Sequence, residues 1–236
     1  MNDTAGRRWT TADHVHDVLE KMVIDGTLKP GIRLTELSLA AELDVSRTPL
    51  RQALQKLVSQ GWIRRSTNGA IFVVDVSDAE IEALYAVRLA LEELMLTQAA
   101  ARMGDGDHDA LRELVALQEQ AAKAGNADEV SKRGEAFHRA IWRMSGNEVG
   151  ARFLEDVLQR TTRYRRISFA EPPRFREGVK QHSQLATALR KGSIRDACTI
   201  IRAHVQESRN YAMQAFRAWR EQERGPEVRS KAKRKR

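Results

Sequence analysis

The chain of 236 residues contains a single cysteine, Cys198, so no internal disulfide can staple it, and a reducing compartment is expected. The stretch from Met1 to Arg8 lacks the apolar core of a secretion signal, and no apolar run reaches bilayer-crossing length. A cytoplasmic protein with no membrane partner is the expectation. Also missing are a G-x-S-x-G elbow and a glycine-rich phosphate loop, which removes common routes to acyl-transfer and nucleotide chemistry. There is no internal repeat. What is present is enough apolar sequence for a real core, 42%, and a high charged fraction, 31%.

The net charge is +8, but its distribution matters more than its sum. Residues 224–236 hold seven Lys or Arg against one Glu, which leaves only +2 for the rest of the chain. This basic end, with Arg229, Lys231, Lys233, Arg234, Lys235 and Arg236, is expected to be disordered. It would add non-specific phosphate attraction or serve solubility alone.

Apolar periodicity divides the remainder. Val15, Leu19, Met22 and Val23 recur at helical spacing up to Gly26, and Lys29-Pro30-Gly31 predicts a turn. Thr35 and Ser46 are expected to cap a second and a third helix, with Asp44-Val45 as the tight turn between them. The third helix carries Leu50, Ala53, Leu54 and Leu57 on one face, and Pro49 sits harmlessly in its first turn. Two β-prone runs, 62–65 and 71–74, flank Asn68-Gly69 and predict a hairpin. From Ser77-Asp78-Ala79-Glu80, read as a capping box, the pattern is helical throughout. One helix runs to about Met103. Others are expected at 108–124, 127–145, 148–168, 173–191 and 194–222. The fold class is therefore mainly α. A winged helix-turn-helix occupies 10–75, an all-helical bundle 77–222 and the basic tail 224–236.

The third helix turns Arg47, Thr48, Arg51, Gln52, Gln55 and Lys56 away from its apolar face. These residue types suit a major groove: arginine bridges guanine O6 and N7, threonine meets a thymine methyl, and lysine neutralises phosphate. A solvated helix face of ordinary composition is the competing reading. The segments Leu28-Lys29-Pro30-Gly31-Ile32-Arg33-Leu34, Val45-Ser46-Arg47-Thr48-Pro49-Leu50-Arg51-Gln52-Ala53-Leu54 and Gly61-Trp62-Ile63 resemble the N-terminal domain of GntR-family regulators. The resemblance implies DNA contacts by Arg47, Thr48 and Arg51, with the wing tip Thr67, Asn68 and Gly69 near the minor groove, and the helix face adds Gln52 and Lys56 as candidates. It also implies a homodimer on a palindromic double-stranded operator. Two positions depart from the family pattern. Asp44 stands where glycine is usual, and Leu37 where arginine is frequent.

In the bundle, helical wheels place polar residues on apolar stripes. Arg88 lies among Ile81, Leu84, Leu91 and Met95, with Glu92 one turn later. His138 flanks Val130, Phe137, Ile141 and Met144. His182 falls among Phe175, Val179, Leu185 and Leu189, and His204 among Ala197, Ile201 and Val205. Three inward imidazoles from separate helices suit a divalent metal, while hydrogen-bonded core histidines are the alternative. Cys198 reads as a small core residue, and the run Arg163-Tyr164-Arg165-Arg166 as mostly solvent-facing.

Arg88-Leu89-Ala90-Leu91-Glu92, Phe137-His138-Arg139-Ala140-Ile141, Ser145-Gly146-Asn147, His182 and Ala203-His204-Val205 resemble the FadR C-terminal-domain (FCD) subfamily. That resemblance implies metal ligation by His138, His182 and His204, with zinc, nickel or manganese as the ion. It also implies a small organic-acid effector near Arg88 and Glu92. The family places an acidic ligand four residues before the first histidine, and here that position is Gly134. Gly134→Asp is therefore expected to tighten metal binding at little cost to stability. The function expected is a ligand-responsive transcription regulator rather than an enzyme. The alternatives are a metal-dependent enzyme with an appended DNA-binding domain and a DNA binder that senses nothing.

Overall fold

The computed structural model describes the backbone of residues 11–24, 27–74, 77–168 and 172–223, and their side chains except at 162–163, 165–168, 172–174 and 222–223. Contacts divide the chain into two compact units, the first ending at Ser77 and the second beginning at Asp78. Gly26, the basic end 224–236 and the side chains of Arg163, Arg165 and Arg166 lie outside the described residues.

In the first unit, α1 (Thr11–Ile24), α2 (Glu36–Glu42) and α3 (Arg47–Ser59) pack with a three-stranded antiparallel sheet of β1 (Arg33–Leu34), β2 (Ile63–Arg65) and β3 (Ile71–Val73). The order is β1-β3-β2, with Leu34 opposite Ile71 and Ile63 opposite Val73. Val15, Leu19 and Val23 of α1 meet Leu50, Leu54 and Leu57 of α3, and Trp62, Ile63, Ile71 and Val73 close the core from the sheet side. Each fully buried leucine contributes on the order of 1.5–3 kcal/mol. Thr35 caps α2 by accepting from the Ser38 amide at 3.2 Å. Ser46 holds the N-cap position of α3, but its side chain makes no cap hydrogen bond. Strand β1 was not expected from sequence: two residues carry no alternation, and their pairing is with a strand almost forty residues away.

The second unit is a bundle of α4 (Asp78–Ala100), α5 (Asp105–Lys123), α6 (Ala127–Ser145), α7 (Glu148–Ser168), α8 (Pro172–Arg190) and α9 (Ile194–Glu223). Ile81, Tyr85 and Met95 of α4, Phe137, Ile141 and Trp142 of α6, and Ile201, Val205 and Phe216 of α9 are buried in it. Helix α5 begins three residues earlier than the sequence pattern suggests. Asp107 accepts from the Gly104 amide at 3.0 Å, so the Gly-Asp-Gly-Asp stretch starts the helix as well as ending its predecessor.

Candidate functional site

The first candidate surface is the outer face of α3. Arg47, Thr48, Arg51, Gln52 and Lys56 are all exposed, on the side away from Leu50, Ala53, Leu54 and Leu57. Two of the cations are already engaged. Arg51 Nε donates to Glu36 Oε2 at 2.8 Å, Arg65 of β2 donates to the other oxygen of Glu36 at 3.3 Å, and Lys56 Nζ donates to Asp13 at 2.7 Å. The Arg51 hydrogen bond outweighs the effect of burial and holds the Glu36 carboxyl below its ordinary value of 4.5. Glu36 thus ties α2, α3 and the wing together. Asp44, before α3, adopts φ 50°, the left-handed conformation that a glycine would take without strain. At the wing tip Gly69 has φ 80°, and Asn68 Oδ1 accepts from the Ala70 amide and from Ser66 Oγ. Thr67, Asn68 and Gly69 are exposed, as is Leu37 on α2. His16, Asp17 and Glu20 of α1 also lie at ligand spacing. His16 bonds Asp17 at 3.0 Å and Gln60, the C-cap of α3, at 2.7 Å, which makes it a tie between two helices.

The second candidate site is buried in the bundle. His138 of α6, His182 of α8 and His204 of α9 are almost wholly shielded from solvent, and each offers a nitrogen to a set lying within 4.8 Å of one another. The Nε2 atoms of His138 and His182 are 3.2 Å apart. Phe137 stacks on the His182 ring, with centroids 4.7 Å apart.

The other nitrogen of each ring is fixed by a partner that can only accept. Gln118 Nε2 donates to the Val130 carbonyl at 3.1 Å, so its Oε1 must be the atom facing His182 Nδ1 at 2.8 Å. Gln181 Nε2 donates to Glu207 at 2.7 Å, so its Oε1 faces His204 Nδ1 at 2.8 Å. His138 Nδ1 lies 3.3 Å from the Glu92 carboxylate. Burial alone would push the Glu92 carboxyl up. The charge and hydrogen bond of His138, with Arg88 and Trp142 behind them, outweigh it and bring the value to about 2. All three Nδ1 atoms thus face acceptors and act as donors, which leaves Nε2 of each ring for a further partner. The 3.2 Å between the Nε2 atoms of His138 and His182 is bridged by one shared proton, or both lone pairs turn to a common cation. That chemistry fits a divalent metal, with the acceptor partners orienting its ligands.

Arg88, Gln118, Gly134, the three histidines, Gln181 and Glu207 line a cavity of about 60 Å³ that is partly open to solvent. Glu92 stands behind this wall. It accepts from Arg88 Nε at 3.3 Å and from Trp142 Nε1 at 3.0 Å. Gln118, Gln181 and Glu207 were missed in the sequence. For Gln118 a signal existed, since it continues the buried stripe Leu111, Val115 of α5. At Gly134 a Cβ would lie 2.7 Å from Gln118 Nε2 and 3.2 Å from His182 Cε1, so an acidic side chain there requires the Gln118 amide to move. Cys198 is only partly buried, with Sγ 4.0 Å from Thr97 Oγ1. Tyr164 is buried edge-on against Phe216.

A three-helix head with a β-wing, followed in the chain by a helical bundle around a polar cavity, defines the class of winged-helix proteins with an appended helical domain. Residues 11–73 match the bacterial regulatory proteins of the gntR family, and residues 83–207 match the FCD domain. The chain belongs to the GntR family, with an FCD domain after its DNA-binding head, and is a DNA-binding transcriptional regulator. The Nta operon transcriptional regulator of Aminobacter aminovorans is 28% identical over 83% of this chain and 91% of its own. The regulator McbR of Escherichia coli is 27% identical over 82% of this chain and 88% of its own. Among solved structures, E. coli McbR/YncC superposes with a TM-score of 0.66 at 23% identity, covering 88% of this chain and 99% of that one. The Lar regulator of Listeria monocytogenes reaches 0.70 at 20% identity, covering 89% and 99%. These families and relatives are regulators rather than enzymes. No helix among the described residues is long and apolar enough to cross a membrane.

Proposed function

We propose that the helical unit senses a small organic acid at a divalent metal ion held by His138, His182 and His204, and that occupancy alters operator binding by a homodimer. The observation that carries this reading is that Nδ1 of each of the three rings faces an acceptor while the rings bring ligand atoms within 4.8 Å of one another beside a cavity. A ligand set of three neutral imidazoles favours zinc or nickel over manganese. When bound, such an ion supplies a positive centre for a carboxylate. Arg88 lies in the same wall, and Glu92 fixes its guanidinium so that the remaining donors meet an acid in a defined direction.

On DNA, Arg47, Thr48, Arg51, Gln52 and Lys56 enter the major groove, and Thr67, Asn68 and Gly69 approach the minor groove. Dimerisation through α4 and α7 is supported by their exposed apolar residues. Val87 and Leu94 lie two turns apart on α4, and Val149 and Phe153 one turn apart on α7, and the two helices pack together through Met95, Leu154 and Leu158.

The test uses untagged protein. Elemental analysis should find one divalent ion per chain, and operator affinity should change with an added carboxylic acid only while that ion is present. His182→Ala should lose both the ion and the response. Metal-free protein whose stability and DNA binding ignore His182→Ala would reduce the histidines to core packing.

A further inference from the structure

The cavity wall is more acidic than a plain carboxylate sensor needs. Among the described lining residues Arg88 is the one Lys or Arg, against Glu135, Glu177 and Glu207. Arg88 is neutralised from behind by Glu92. Glu135 pairs outward with Arg139 at 3.1 Å, and Glu177 with the exposed Lys180 at 3.4 Å. Glu207 has no cation among the described residues. Its Oε2 accepts from the neutral Gln181 amide at 2.7 Å, and its other oxygen has no donor there. Glu207 is half-buried, so its charge is poorly screened. It also stands three residues after His204 on α9 and is joined to that ring through a single amide, Gln181. The three imidazoles and a carboxylate that meets no cation among the described residues thus sit within one small molecule's reach.

We propose that the ligand is a zwitterion, a short amino-carboxylic acid whose carboxylate meets the metal and Arg88 and whose ammonium meets Glu207, with Glu177 beside it. This rests on the effector reading given above and narrows its chemical class. A plain carboxylate would leave Glu207 uncompensated and add a second negative charge near it, whereas an ammonium satisfies it with a charge-assisted hydrogen bond. Absence of an acidic metal ligand at Gly134 sharpens the polarity. A divalent ion held by His138, His182 and His204 would meet no carboxylate at position 134, and Glu207 would lie beyond Gln181 from it.

The experiment titrates zinc-loaded and chelated full-length protein with matched pairs: glycine and acetate, β-alanine and propionate, γ-aminobutyrate and butyrate, 6-aminohexanoate and hexanoate. Glycerate serves as a hydroxyl control, and binding is read by calorimetry and thermal shift. At least one amino acid should bind about tenfold tighter than its des-amino partner, the size of one charge-assisted hydrogen bond. Glu207→Gln still accepts from Gln181 and should abolish that preference, with the amino acid losing affinity and the des-amino acid gaining some as the nearby negative charge is removed. Equal binding within every pair, or preference for glycerate, overturns the zwitterion and leaves the carboxylate sensor standing. No binding by any acid, with zinc or without, overturns the effector reading and this inference together. The comparison within pairs on wild-type protein decides the matter even if the variant is unstable.

Discussion

At the scale of single residues, Gly134 and Gln118 are two halves of one feature. The glycine leaves room, and the glutamine uses that room to hold His182 Nδ1 and the Val130 carbonyl at once. Gly134→Asp should therefore destabilise the protein by about 1–3 kcal/mol, as an overpacked buried site does, and weaken metal retention. Adding Gln118→Ala should recover part of the loss, so that thermal unfolding of the two single variants and the double variant is clearly non-additive. Additive losses would show that the two residues do not compete for the space. In the sequence the three histidines were legible because each breaks an apolar stripe of its own helix. Gly134 was legible only as a missing carboxylate, because what fills a vacated volume comes from another helix and leaves no local trace. A second residue-scale consequence concerns Glu36. Its carboxyl is held low by Arg51, so the stability it gives is fully present above the ordinary glutamate value and is lost as pH falls through the lowered one. Glu36→Gln should flatten the acid limb of the stability profile. With Arg51 and Arg65 released, it should also raise affinity for random DNA relative to operator, measured by competition binding.

At the scale of elements, helix starts separate those that are capped from those that are merely placed. Thr35 makes its cap bond, so Thr35→Ala should cost about 1 kcal/mol in the free protein. Ser46 occupies the equivalent position on α3 without a side-chain bond, so Ser46→Ala should change the stability of the free protein by much less. Denaturant titration of both variants checks the contrast, and equal losses would contradict it. The helices were readable from sequence because the 3.6-residue period is local and long. The hairpin was readable because Asn68-Gly69 fits the turn it makes. Strand β1 was not, since two residues have no period and gain their structure only from Ile71 and Phe72. Gln181 and Glu207 were hidden for the same reason at longer range, because a relay between α8 and α9 has no signature within either helix.

At the scale of the whole molecule, the proposed homodimer turns on an exposed apolar side chain. Phe153 is 62% exposed on α7, and a monomer gains nothing by that exposure. Phe153→Glu should shift sedimentation toward the monomer and reduce operator affinity, because each half-site would then be bound alone, while the thermal midpoint of the bundle moves little. A dimer that persists in this variant would place the interface elsewhere. The histidine centre has a different reach. Arg88 and Glu92 come from α4, Gln118 from α5, His138 from α6, Gln181 and His182 from α8, and His204 and Glu207 from α9. Filling one small volume therefore clamps five helices together, and among the described residues α7 contributes none of these groups. Occupancy should be written less in displaced atoms than in quieted breathing. Backbone amides of those five helices should exchange with deuterium more slowly on metal and ligand binding, with α7 changing least.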